Sequence, residues 1–99
     1  HLLAYALVDM LARLDDSREI FAYAAGGFRD FTRIASSDPV MWRDISLANR
    51  EAIVSMLKQY QAEVNGLIKA VAAGDGAKLE TLFARAKAAR DALVTNDQK

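Results

Sequence analysis

The chain has 99 residues, 53% of them hydrophobic, and 13 Lys+Arg balance 13 Asp+Glu to a formal net charge of +0. This length predicts one domain, and charge balance argues against any general attraction to nucleic acid or an anionic membrane. There is no cysteine and one histidine, which excludes disulfides, thiolate metal sites and a His-rich metal centre and fits a cytoplasmic protein.

A small domain has a high surface-to-volume ratio, so its apolar surplus predicts burial against a second subunit. No segment reaches the roughly 20 apolar residues that span a bilayer. The opening run "LLAYALV" stops at Asp9 and lacks the basic leader and cleavage residues of a signal peptide. The chain starts at His1, already in helical pattern, and is read as a piece of something longer.

Residues 2 to about 15, "LLAYALVDMLARLD", predict a first helix. Leu3, Leu7, Met10, Leu11 and Leu14 form its main stripe, with Tyr5 and Val8 off it. A helix apolar on most sides is expected to be central, covered by several neighbours. Ser17 is a candidate cap for a second helix, "REIFAYAA", ending at Gly26-Gly27. A short third helix is expected over about 28–35, stopping before "SSDP" because the residue before proline avoids the α region. Asp38 as N-cap with Pro39 at the first helical position starts the next helix, which is expected to run, with or without a kink, into the longest element. There Ile53, Leu57, Tyr60, Val64, Leu67 and Val71 step by 4, 3, 4, 3, 4, a coiled-coil-like seam. "GDG" at 74–76 breaks the chain. A last helix carries Leu79, Leu82, Ala86, Ala89 and Leu93, and "TNDQK" is expected to be a polar tail. No stretch alternates as a strand would. The expectation is an all-α bundle of about five helices in an intertwined dimer.

The unusual chemistry is concentrated in "GGFRDFTRIASSDPVMW", residues 26–42. At about 100° per residue, Phe28, Phe31, Ile34 and Ala35 fall on one side of the expected third helix and Arg29, Asp30 and Arg33 on the other. Arg29 and Arg33 then repel at i, i+4, in first turns where the helix dipole already disfavours cations. Two readings follow. Asp30 pairs with Arg33 on a solvated surface. Alternatively, the glycines and the guanidinium forks make an anion site suited to carboxylates, with Asp30 as a gate. A lone Trp42 is most simply core, but its place after a tight turn also lets it face a cavity.

"GGFRDFTRIASSDPVMWRDI" resembles the signature of the C-terminal domain of prephenate dehydrogenase, a tyrosine-biosynthesis family. "HLLAYALVDML" resembles the family's helix after a Ser-His-x-Pro-His motif, with His1 as that motif's last histidine. The resemblance covers the whole layout and is specific over residues 26–45. It implies oxidative decarboxylation of prephenate to 4-hydroxyphenylpyruvate, or of arogenate to tyrosine, with NAD or NADP. By that resemblance, a Rossmann domain outside this chain binds the dinucleotide and carries the catalytic histidine, so the chain holds no catalytic or cofactor-binding residue. The helical domain, residues 1–99, makes the homodimer and closes the substrate pocket. Arg33 is implied to bind a substrate carboxylate. Arg29, where the family often has lysine, and Asp30 form a polar gate. Trp42 and His1 line the pocket, and Gly26 and Gly27 let backbone approach the ligand. The chain has no G-x-G-x-x-G unit, so alone it is expected to be inactive as a dehydrogenase.

Two other classes fit parts of the same pattern. An all-helical chorismate mutase also grips carboxylates with arginines, but its first helix usually carries an early arginine and paired acids, which are missing here. A helical interaction module without ligand predicts Arg29 and Arg33 facing solvent with no cavity beside them.

Overall fold

The computed structural model describes residues 1–13 and 26–97. Leu14, Ser17 and the helix expected over 18–25 lie outside the described residues. Among the described residues all regular structure is helical. There are five α-helices, here α1 (Leu2–Ala12), α2 (Gly26–Thr32), α3 (Pro39–Ala48), α4 (Arg50–Ala72) and α5 (Gly76–Asp97), and one 3-10 helix, Arg33–Ser36. The chain divides into two compact units, His1–Arg50 and Glu51–Lys99. No described helix is long and apolar enough to cross a membrane.

In the first unit, α1 packs against α2 and against the 3-10 helix. Its buried residue is Ala4, at 2% exposure. The expectation that α1 is covered on most sides is not met within the described residues, because Leu3 and Met10 remain 38% and 47% exposed. At its end the Arg13 N–H is shared between the Asp9 and Met10 carbonyls, both at 3.2 Å. The Arg13 guanidinium also reaches the Asp9 carboxylate at 3.2 Å, a solvent-exposed i, i+4 pair worth only a few tenths of a kcal/mol.

The third expected helix takes other bounds. It begins at Gly26 rather than Phe28 and ends at Thr32, where the Thr32 hydroxyl donates to the Phe28 carbonyl at 2.7 Å. Such back-bonding competes with regular helix continuation, and the next four residues tighten into the 3-10 helix. Ser37 is then extended (φ −83°, ψ 170°), and so is Asp38 (φ −64°, ψ 115°). That is the conformation imposed on a residue before proline. The Asp38 carboxylate accepts the Val40 N–H at 3.0 Å, and its carbonyl accepts the Trp42 N–H at 3.2 Å. Cap and proline together start α3 where the sequence places it. This helix does not run on into the longest one. Asn49, at φ −117° and ψ 34°, interrupts it, with both its backbone N–H and its side-chain amide donating to the Ile45 carbonyl.

In the second unit, α4 closes with a Schellman motif. Gly74 takes φ +65°. Its N–H donates to the Val71 carbonyl at 3.1 Å, and the Asp75 N–H donates to the Ala70 carbonyl at 3.0 Å. Glycine suits this left-handed position because it has no Cβ to clash. Asp75 then caps α5, accepting the Lys78 N–H on its carboxylate at 3.1 Å. The helix continues through Asp97, so the first three residues of the expected polar tail are helical. The Thr95 hydroxyl bonds back to the Asp91 carbonyl at 2.9 Å.

Between α4 and α5 runs an open groove of about 340 Å³. Tyr60, Val64 and Leu67 line it from one helix and Leu82, Ala86 and Ala89 from the other. These are members of the two seams read from the sequence. They face a common space but do not fill it: Tyr60 is 48% exposed.

Removing the cap of α3 tests this local account. Asp38→Ala is expected to lower stability by about 1 kcal/mol, read as a reduced urea midpoint with an unchanged slope.

Candidate functional site

The site is built where α1 meets the start of α3. His1 caps α1, and its carbonyl accepts the Tyr5 N–H at 3.0 Å, which puts the two residues one helical turn apart. The His1 imidazole stacks on the Trp42 indole, with ring centroids 3.7 Å apart and planes inclined by 15°. Trp42 is thus neither wholly core nor free. Its ring is half-buried under a histidine, and its Nε1 is buried without a hydrogen-bond partner among the described residues. The Tyr5 hydroxyl donates to the Ser37 carbonyl at 2.6 Å. Beside the stack lies a groove of about 210 Å³ whose lining includes Leu2, Tyr5, Pro39, Trp42 and Ser46.

His1 and Trp42 come from opposite ends of the first unit, and the fold brings them into contact. The polar trio is different. Arg29 and Asp30 are exposed on α2, and Arg33 is exposed at the start of the 3-10 helix. None of the three is in an ion pair among the described residues. The surface pairing of Asp30 with Arg33 therefore does not form, and neither arginine lines the groove beside Trp42. The dipole argument also changes. Because the helix starts at Gly26, Arg29 sits in its last turn, where a cation is favoured, and Arg33 lies beyond its end.

Gly26 and Gly27 are the first residues of α2. A Cβ built on Gly27 meets nothing within 4 Å, so nothing among the described residues requires glycine there. Tyr5 was not among the candidate site residues in the sequence. The available signal was its spacing of one turn from His1 and a polar tip on an otherwise apolar helix.

A dinucleotide does not fit the described residues. They contain no strand to carry a glycine-rich phosphate loop, and Gly74-Asp75-Gly76 is occupied in closing one helix and capping the next. No group of three or more metal-ligating side chains exists among them.

The described residues are thus all-helical, with an aromatic–imidazole pair and an exposed arginine pair and no strand-borne nucleotide-binding unit among them. Residues 1–85 match the family model described as "Prephenate dehydrogenase, dimerization domain", and the chain belongs to this family. It is 38% identical over 98 residues to a cyclohexadienyl dehydrogenase of Zymomonas mobilis, covering 97% of this chain and 33% of that protein. It is 45% identical over 71 residues to a prephenate dehydrogenase of Bacillus subtilis, covering 72% of this chain and 19% of that protein. A prephenate dehydrogenase of Lactococcus lactis is 33% identical over 70 residues, 71% of this chain and 20% of that protein. The chain thus spans a third or less of the curated relatives it matches.

Gly27 offers a direct test of what this unit itself requires. Gly27→Ala is expected to fold and to gain up to about 0.5 kcal/mol from better helix propensity, measured by urea unfolding.

Proposed function

We propose that this chain is the dimerisation and substrate-closing part of a prephenate dehydrogenase. That enzyme oxidatively decarboxylates prephenate to 4-hydroxyphenylpyruvate, or arogenate to tyrosine, with NAD or NADP in the cytoplasm. The observation that carries the reading is the His1–Trp42 stack, formed in a chain of this family by two residues that the resemblance assigns to the substrate pocket. An aromatic face backed by an imidazole suits a flat six-membered ring. Such a substrate is also anionic, and Arg29 and Arg33, in no ion pair among the described residues, supply guanidinium forks for its carboxylates.

In this reading Arg33 grips a carboxylate, and Arg29 and Asp30 gate the entrance. Gly26 and Gly27 let the ligand approach the backbone. The dinucleotide and the general base belong to a Rossmann domain of the same protein, outside this chain. The exposure of Arg29 and Arg33 agrees with what a ligand-free module predicts. Family membership favours instead a pocket that the Rossmann domain completes over them. The chorismate mutase alternative has no support in the family match.

The homodimer reading rests on the unfilled seams. Two helices whose apolar rows face an open groove, with Val71 at 59% and Leu93 at 61% exposure, are expected to be covered by a second copy. Sedimentation at micromolar concentration is expected to give twice the chain mass, and a well-folded monomer would refute the reading.

In the complete enzyme, Arg33→Ala is expected to lower kcat/KM by roughly 30-fold or more, the loss of one partner of an enclosed charge pair. The effect should lie mainly in KM. Arg33→Lys should restore it only in part, since an ammonium offers no two-pronged fork. The affinity for NAD should hardly change. Steady-state kinetics showing near-normal kcat/KM for Arg33→Ala would leave Arg33 as a surface residue.

A further inference from the structure

The geometry points to Tyr5 as a positioning residue for the ligand site at Trp42: its hydroxyl, held on the Ser37 carbonyl, fixes the indole against His1. This rests on the reading above, in which the stack lines the substrate pocket.

The Trp42 Nε1 has no hydrogen-bond partner among the described residues, so none of these orients the ring through a side-chain hydrogen bond. Its position follows from the backbone of α3 and from stacking on His1 at 3.7 Å. The backbone of α3 begins at the Ser37–Asp38 turn, where the Trp42 N–H bonds to the Asp38 carbonyl. His1 in turn is fixed by α1, where its carbonyl accepts the Tyr5 N–H. The two halves of the stack therefore belong to two helices, and their separation depends on what joins those helices.

Tyr5 joins them. Its hydroxyl spans 32 residues of sequence to reach Ser37 at 2.6 Å in a partly buried setting. Every other side-chain hydrogen bond given for the described residues links positions four or fewer apart. Tyr5 is thus a long-range polar tether among the described residues. Through it the contacts close a loop: the His1 carbonyl to the Tyr5 amide, the Tyr5 hydroxyl to the Ser37 carbonyl, the adjoining Asp38 carbonyl to the Trp42 amide, and the indole back onto the imidazole. The Tyr5 ring also lines the same groove as Trp42. Removing the hydroxyl keeps that packing but leaves a half-buried carbonyl without its donor, and the start of α3 gains freedom to shift.

The test is Tyr5→Phe in the complete enzyme. The near-ultraviolet circular dichroism of Trp42 is isolated as the difference from Trp42→Phe protein, and kinetics are measured with prephenate. The Trp42 signal is expected to change in the ligand-free enzyme. KM should rise about threefold to tenfold, the worth of one neutral hydrogen bond, with kcat within about twofold. An unchanged Trp42 signal and KM, with only a lower Tm, would reduce Tyr5 to a structural tether and overturn the proposal. A changed signal with unchanged KM would show that the tether sets the stack but that the stack lies outside the substrate site, so the reading of the site fails instead. Should Tyr5→Phe fail to fold, Asp38→Ala loosens the same turn from its other side. It is expected to change the same signal and raise KM, and no change in either would overturn the proposal.

Discussion

Pro39 allows the residue before it little besides extended backbone, and much of the first unit is arranged around that restriction. Asp38 cannot continue the 3-10 helix, so the chain must turn. Extension at Asp38 frees its carboxylate and its carbonyl to start α3. Extension at Ser37 turns its carbonyl away from helical bonding, and Tyr5 takes it up. Trp42 follows one turn later and meets His1. A single steric rule thus leads to a cap, a tether and an aromatic stack.

The second unit is organised by a different device. Asp75 serves two helices at once. Its N–H closes α4 through the Schellman motif, and its carboxylate opens α5. So short a link leaves the helices as neighbours in sequence, yet their apolar seams are not consumed by each other. The groove between them stays open, and Leu57, Tyr60, Val71 and Leu93 along the seams remain exposed. Burial of apolar surface is the main favourable term in folding and association. A pair of helices that leaves this much apolar surface unburied is in keeping with a family described by its dimerisation.

The proposed function divides in the same way. The aromatic half of the candidate site is assembled within the first unit, and the cationic half is displayed on the outside of it. An arginine that faces water binds anions weakly, because the solvent screens it. The same arginine under a closing domain becomes selective. In the proposed reading, exposed Arg29 and Arg33 and the His1–Trp42 contact would form one site only once another domain closes over them.

Local rules were legible in the sequence wherever a residue acts on its own neighbours. The Asp38-Pro39 start, the break at Gly74, the all-helical content and the two heptad-like seams all follow from propensity and spacing, which need no distant partner. The resemblance carried by residues 26–45 named the family for the same reason, since short motifs survive in linear order. The bounds of α2 were not legible, because Thr32 back-bonds to Phe28 and shifts the chain into a 3-10 turn, a choice between nearly equal helical geometries. Nor was the break at Asn49, where side chain and backbone compete for one carbonyl. The stack of His1 on Trp42 and the reach of Tyr5 to Ser37 join residues 41 and 32 positions apart. No periodicity encodes such pairs. Only the packing of α1 onto the turn before α3 brings them within contact, and that packing is decided by tertiary structure.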